Sequence, residues 1–265
     1  MPNFFMSATG IIFEQPLNEH IRFSLRLEYL FQKAKYHLEN DSSWGSRFAL
    51  ETILEILSVV DRPDLKTKLA KALQLYANSL ANLLGNQKLC AELDEKKLRR
   101  VHDELVEASL NLQQNRGKVG QDLRDNEFIT TISQRLATAG GTCDFSVPAY
   151  HLWLQQPSKA RRQYLDEWID SFAELARNIA LLLKLTRSSV DLHNAQATNG
   201  FYQIDLDPRI SYQMVRVAVP EDANCYPEIS VGRHRISIHF YALNLKGRPL
   251  QIKKDLSFQL TCCKI

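Results

Sequence analysis

The chain has 265 residues, of which 45% are apolar and 24% are charged, so it can bury a core and is not intrinsically disordered. Its 33 Lys and Arg residues against 30 Asp and Glu leave a net charge of only +3. That balance argues against a dedicated nucleic-acid-binding protein, whose affinity depends on a large basic excess. No stretch approaches the roughly 18 apolar residues of a membrane span, and the N-terminal residues lack the basic start of a secretory signal.

The cysteines are scattered and include no C-x-x-C pair. A disulfide framework or a structural zinc site would show paired spacings, so neither is expected. We therefore expect a reduced protein of the cytoplasm that carries no metal or other cofactor. The five cysteines are Cys90, Cys143, Cys225, Cys262 and Cys263.

Residues from Leu17 to about 191 show the apolar period of amphipathic helices. The clearest stripe begins at Leu165 and continues to Leu183, which predicts one uninterrupted helix. Pro63 and Gly85 mark breaks between further helices. The other predicted helices span residues 17–38, 48–60, 64–84, 94–114 and 121–136.

From about residue 198 the apolar period changes to two, the pattern of strands with one buried face. Between residues 235 and 242, for example, Ile236, Ile238 and Phe240 alternate with polar residues. Helices followed by strands indicate an α+β fold, with an antiparallel sheet that has one solvated face. The predicted strands span 201–206, 212–219, 235–242 and 256–261.

The period change also predicts two domains. A mostly helical domain is expected over residues 14–197 and an antiparallel β domain over 198–265. A short strand near 10–13 is expected to join the β domain. Residues 199–265 contain nine Lys and Arg against six Asp and Glu, so the whole net positive charge falls in the predicted β domain.

The sequence contains no P-loop, dinucleotide-binding fingerprint, H-E-x-x-H or G-x-S-x-G motif. Cys143 and His151 are close enough in sequence to form a Cys–His nucleophile pair, but an unactivated cysteine is the more common case. Asp205 and Asp207 form a D-x-D at a strand end, for which a solvated turn is favoured over a metal site. The motifs alone therefore give no strong indication of catalysis, and an enzyme that uses Cys143 and His151 stays an alternative.

Cations form the remaining pattern. On the first predicted helix, Arg22, Arg26, Tyr29 and Lys33 are spaced so that they project from one face. For any one of these residues a solvated face is the simpler interpretation. Because an exposed ion pair contributes only about 0.2–1 kcal/mol, recognition of a partner would need several of them together.

A second set of cations lies on and near the strand at 235–242. Arg235 and His239 lie on its polar side and Arg233 precedes them, with no acidic residue on that strand face. A third set, Lys159, Arg161 and Arg162, lies near the start of the Leu165 helix, where added cations favour anion binding.

Several motifs resemble those of the ZapD family of Z-ring-associated proteins. In chain order they are FEQPLNEHIRFSLRLEYLFQ (13–32), GGTCDFSVPAYHLWL (140–154), TNGFYQ (198–203), YPEIS (226–230) and the Cys-Cys pair near the C-terminus. The resemblance implies a non-enzymatic homodimer with a helical and a β domain, which binds the C-terminal tail of the tubulin-like division protein FtsZ. It further implies that the protein bundles FtsZ filaments, and so promotes Z-ring assembly, at the mid-cell division site of Gram-negative bacteria.

The resemblance also implies a basic surface for that tail. Arg26 lies in the F-E-x-P-L-N-E motif helix, His151 in the H-x-W-L motif, and Arg62 directly after the helix at 48–60. His239 and Glu127 stand where relatives can carry a basic residue, which is expected to weaken this surface. For His151, a hydrogen-bonded core histidine is an equally good interpretation. The candidate partner-binding residues are Arg22, Arg26, Arg62, Arg124, His151, Arg233, Arg235 and His239.

An alternative hypothesis is binding of single-stranded nucleic acid by the basic strand face, with Tyr212, Phe240 or Tyr241 as stacking platforms. The near-neutral total charge argues against it. We therefore expect FtsZ and a second copy of the chain as partners, and neither nucleic acid nor a membrane.

Overall fold

The computed structural model describes residues 10–85, 94–114 and 117–265, and Cys90 lies outside these ranges. The described residues form an α+β structure, as predicted, with a helical region followed by antiparallel strands. The helices are α1 (Glu19–Leu38), α2 (Ser43–Val60), α3 (Leu65–Leu84), α4 (Glu95–Gln114), α5 (Gln121–Arg124), α6 (Glu127–Leu136), α7 (Pro148–Leu154), α8 (Ser158–Asp170) and α9 (Ala173–Arg187). The strands are β1 (Ile11–Pro16), β2 (His193–Ala197), β3 (Phe201–Asp205), β4 (Tyr212–Val219), β5 (Cys225–Val231), β6 (Arg235–Ala242), β7 (Leu250–Gln251) and β8 (Leu256–Lys264).

The chain divides into two compact units. The strand-rich unit comprises the chain up to Arg22 together with Leu183–Ile265, and the helical unit is Phe23–Leu182. The division therefore falls within α1 and α9, whereas the period change in the sequence placed a boundary near residue 198. Strand β1 belongs to the strand-rich unit.

Side-chain caps determine where two of the helices begin, which the apolar period alone does not predict. The Ser42 hydroxyl accepts a hydrogen bond from the Gly45 amide at 2.9 Å, so α2 begins five residues before the predicted position. The Asn126 side chain accepts from the Ile129 amide at 3.1 Å and begins α6. The predicted helix at 121–136 is consequently two helices, α5 and α6.

The predicted continuous helix through Leu165 and Leu183 is also two helices. They are α8, which ends at Asp170, and α9, which begins at Ala173. Phe172, 1% exposed, lies at the break and packs against Gly120, where an added Cβ would be 2.9 Å from the ring. The apolar period continues across this break, so the sequence pattern alone could not reveal it.

The strands form two antiparallel sheets, with strand orders β1-β4-β8-β2 and β3-β6-β5, and β7 adds to β6. The predicted alternation is confirmed, since Val217 on β4, Ile238 on β6 and Leu260 on β8 are fully buried in one core. The strands form two sheets where one was predicted, and the predicted solvated face is present on the β3-β6-β5 sheet but not at β4 and β8. Met214 and Cys263, on the side of β4 and β8 away from this core, are also fully buried.

The strands that the sequence missed have weak apolar patterns. Strand β2 reads HNAQA and contains no large apolar residue. Strand β5 contains Pro227, which is tolerated because β5 is an edge strand of its sheet. Both strands are stabilised by main-chain pairing with a neighbour, β8 for β2 and β6 for β5.

Candidate cationic binding surfaces

The outer face of the β3-β6-β5 sheet carries the predicted strand cations. Arg235 and His239 lie on β6, and Arg233 lies in the exposed turn between β5 and β6. His239 is half-buried because its ring packs on Phe201 of β3, with ring centroids 4.8 Å apart. Its Nδ1 also lies 3.4 Å from the Gln251 side-chain amide on β7. The three cations therefore share one surface, which we call the sheet surface.

Neighbouring strands bring acidic residues to this sheet surface. Asp205 of β3 is paired in register with Arg235, and Glu228 of β5 is paired with His239. The absence of acids on β6 itself, which the sequence showed, did not extend to its neighbours. Nevertheless, Arg235 is exposed, and no ion pair within 4 Å involves it among the described residues.

The cations predicted for one face of α1 differ in their surroundings. Arg22 is exposed and its Nε lies 3.5 Å from Glu19, while Arg26 is exposed without an ion pair among the described residues. Tyr29, between them and Lys33, is 63% exposed. The Lys33 Nζ lies 2.8 Å from the Glu55 carboxylate on α2. Of the three cations, Arg26 is the one with no described carboxylate partner.

Arg62 and Arg124 come together at the end of α2, in a group that we call the basic turn cluster. Arg124 Nη1 lies 3.1 Å from Asp61 and Arg62 Nε lies 4.0 Å from Asp64. Lysines that the sequence analysis did not single out complete the group, because the fold brings them there from α3 and from the loop before α5. The basic turn cluster consists of Arg62, Lys66, Lys68, Lys118 and Arg124.

Within this cluster Arg124 has a structural role. Its guanidinium donates to the Leu57 carbonyl at 3.1 Å, near the C-terminal end of α2, where cations are favoured by the helix dipole. Only 20% of its side chain is exposed, against 49% for Arg62 and 67% for Lys118. Arg62 and Lys118 are therefore the more accessible positive charges here.

His151 belongs to a different group. Its Nδ1 lies 3.2 Å from the Asp144 carboxylate, and 42% of the side chain is exposed, so it is not a core histidine. Asp144 is also 3.4 Å from Arg47, whose guanidinium lies 5.2 Å from the Trp44 ring centroid and 5.0 Å from that of Tyr150. The sequence analysis missed Arg47, because its contacts with Asp144 and Tyr150 join residues about a hundred positions apart.

The cations at the start of α8 do not form an anion site, which corrects the sequence-based expectation. Arg161 is 6% exposed and its guanidinium donates to Ser46 Oγ at 2.9 Å and to the Asp41 carbonyl at 2.6 Å. It also donates to the carbonyls of Leu154 and Gln156. Arg161 therefore joins the start of α2 to the end of α7, and its guanidinium is buried in these contacts, out of reach of a ligand.

A partly buried ionic group lies in the strand-rich unit. The Glu14 carboxylate of β1 accepts from Arg187 at 2.8 and 2.9 Å and from Arg216 at 3.0 Å. Burial alone would raise the pKa of Glu14, but hydrogen bonds and charge from the two arginines outweigh it, so the pKa is below its ordinary value. These contacts tie β1 to β4 and to the end of α9.

The structure also places the other residues that the sequence analysis considered for chemistry or stacking. Asp207 forms a turn with Arg209, whose hydrogen bonds hold the pKa of that carboxyl below its ordinary value. In the described ranges, no group of three or more His, Cys, Asp or Glu side chains is arranged to hold a metal ion. Phe240 is fully buried and cannot stack on a nucleic-acid base, whereas Tyr241 lies half-buried against Tyr226.

None of the described helices is both long and apolar enough to cross a bilayer.

The candidate residues thus fall into separate groups. The sheet surface and Arg22 belong to the strand-rich unit, and Arg26, the basic turn cluster and His151 belong to the helical unit. Together these features describe an α+β protein with exposed arginines on both of its units.

A protein-family model described as "ZapD: Cell division protein" matches residues 25–239. Three proteins with the name "Cell division protein ZapD" are similar to the chain. The one from Coxiella burnetii strain RSA 331 is 39% identical over 98% of this chain and all of its own length. Those from Methylococcus capsulatus strain Bath and Azoarcus sp. strain BH72 are 36% and 35% identical, each over 96% of this chain and 98% and 100% of their own lengths. The chain therefore belongs to the ZapD family of cell division proteins.

Proposed function

We propose that this protein is a non-enzymatic, cytoplasmic division factor that binds the C-terminal tail of FtsZ and cross-links FtsZ filaments at mid-cell. Membership of a family of cell division proteins supports the cellular process. The proposed binding of the FtsZ tail depends on one observation, which is that arginines at positions expected to contact the tail are exposed. Arg26 and Arg235 in particular are exposed and form no ion pair among the described residues, so their charge is available to a partner.

Cross-linking requires at least two tail-binding sites on one particle. A homodimer with two-fold symmetry presents each cationic surface twice. Two weak contacts then act together through the effective concentration of the second site. Because the contacts are exposed charges, we expect each to be weak, reversible and reduced by salt.

The test is filament bundling, measured by sedimentation and light scattering of the purified protein mixed with FtsZ and GTP. A parallel sample contains FtsZ without its C-terminal tail. Bundling with intact FtsZ alone is expected, together with a mass of two chains by size-exclusion chromatography with light scattering. Equal bundling of tailless FtsZ, or none of either form by folded protein, would contradict the proposal.

Charge reversal of Arg235 tests the sheet surface. We expect Arg235→Glu to weaken tail binding about tenfold and to abolish bundling, because it replaces an attractive contact with a repulsive one. The melting temperature should not change, since Arg235 is exposed. Arg100→Glu, on the exposed side of α4, is the matched control, with the same change in net charge and no expected loss of bundling. Equal effects of the two substitutions would show that net charge, and not Arg235, matters.

A further inference from the structure

The hairpin that joins β6 to β7 exposes leucines at its tip. Leu245 is 87% exposed, Leu250 62% and Leu243 55%. Single exposed apolar residues are common, but three exposed leucines within eight residues of one turn are a local concentration of apolar surface. We call residues 243–250 the leucine hairpin.

The leucine hairpin is held by its own hydrogen bonds. The Asn244 side-chain oxygen accepts from the Lys246 amide at 3.1 Å, and its NH2 group donates to the Arg248 carbonyl at 3.0 Å. The turn is therefore ordered while its leucines face water. Because the backbone is already organised, a partner that covers these leucines would not have to order the loop first.

The leucines are exposed because the hairpin extends past the end of the sheet core. Leu250 is paired in register with Ala242, at the end of β6, and β7 pairs with no other described strand. Two residues later Ile252 is 8% exposed and belongs to the core. Leu250 therefore extends the apolar face to which Ile252 belongs, but Leu250 lies beyond the core and is not covered.

Only positive charges accompany these leucines. Residues 243–254 contain no Asp or Glu, and none of the described ion pairs involves the four cations of this stretch. An amphipathic surface of leucines bordered by Lys and Arg has the composition of segments that bind at the surface of an anionic bilayer. The four exposed cations are Lys246, Arg248, Lys253 and Lys254.

We propose that the leucine hairpin is a peripheral contact with a bilayer that contains anionic phospholipid. The leucines enter the boundary between headgroups and acyl chains, while the lysines and Arg248 bind headgroup phosphates. An acidic peptide would complement the same cations but would leave the leucines in water, so lipid is the better match. The hairpin is also separate from Arg235, because the eight residues of β6 between them span about 26 Å.

The experiment is co-sedimentation of the full chain with vesicles, in the absence of FtsZ. The protein should pellet with vesicles of phosphatidylcholine and phosphatidylglycerol, and much less with phosphatidylcholine alone or at high salt. The variant Leu245→Ser/Leu250→Ser should lose at least about tenfold in vesicle affinity. The matched control, Leu75→Ser/Leu110→Ser, changes two exposed leucines of α3 and α4 and should bind as the unchanged protein does.

Two results would overturn the proposal. The first is no pelleting of the unchanged protein with anionic vesicles, and the second is equal pelleting of the hairpin variant. If that variant pelleted normally and also became monomeric, the hairpin would be assigned to a protein contact. Since the vesicle assay contains no FtsZ, its outcome is independent of the proposed function.

Discussion

Replacing Arg161 by methionine should destabilise the helical unit, although the new side chain has a similar length and is apolar. The guanidinium donates to Ser46, to the Asp41 carbonyl and to two carbonyls at the end of α7, Leu154 and Gln156. An apolar side chain can replace a buried ion without loss of stability when the polar partners of that ion are replaced as well. Here three of the four acceptors are backbone carbonyls, which no side-chain substitution can remove.

The expected loss can be worked out from the burial of those acceptors. The hydrogen bonds to Ser46 and Leu154 are buried, and an acceptor left unpaired there costs about 1–3 kcal/mol. The other two bonds are only partly buried, so water can replace the lost donor. Packing of the methionine recovers part of the loss, which leaves a destabilisation of about 3 kcal/mol, or a melting temperature lower by about 6–12 °C.

Urea denaturation followed by tryptophan fluorescence measures this loss directly, because Trp44, Trp153 and Trp168 all lie in the helical unit. Lys159→Met, on the same helix, is the matched control: Lys159 is exposed and has no hydrogen bond or ion pair among the described residues, so its loss should cost less than about 1 kcal/mol. If Arg161→Met unfolded within about 1 kcal/mol of the unchanged protein, or like the control, the structural role argued for Arg161 would be refuted.

Two further predictions concern the strand-rich unit. Because Glu14 has a pKa below its ordinary value of 4.5, its stabilising effect is present at neutral pH and lost as the pH falls through the folded-state pKa. Glu14→Gln should therefore lower the free energy of unfolding by about 2 kcal/mol at neutral pH and by almost nothing in acid. Thermal unfolding at several pH values measures this difference. A difference that does not depend on pH would contradict the prediction. His239→Arg should add a permanent positive charge to the β6 face that carries Arg235 and strengthen binding of the FtsZ tail about threefold. Fluorescence anisotropy of a labelled tail peptide measures this affinity. Weaker binding would contradict a role for the sheet surface.

The structure separates cations that hold the fold from cations that are free to act on a partner. Arg161 and Arg124 donate to backbone carbonyls at helix ends, whereas Arg26 and Arg235 are exposed. Both kinds look alike in sequence, because each is a basic residue near a helix or strand boundary. Substitutions meant to test FtsZ binding should therefore avoid Arg161 and Arg124, whose loss would reduce binding through unfolding.

The sequence by itself determined the fold class and most strand faces. In β6 and β8, apolar residues alternate with polar ones, and this local pattern decides which side of a strand is buried, so Ile238 and Leu260 were placed correctly. The same reasoning identified Arg22 and Arg26 as exposed residues of one helix. It failed for β2 and β5, whose existence depends on main-chain pairing with a neighbouring strand.

Only the tertiary structure decided what each polar or apolar side chain meets. Strand pairing places Asp205 opposite Arg235, 30 positions away, and the Arg161 guanidinium donates to the Asp41 carbonyl across 120 positions. Leu245 is exposed because β6 and β7 extend beyond the core, although an apolar residue near a strand end would ordinarily be placed inside. Such contacts depend on residues distant in sequence, and the periodicity of a single segment carries no information about them.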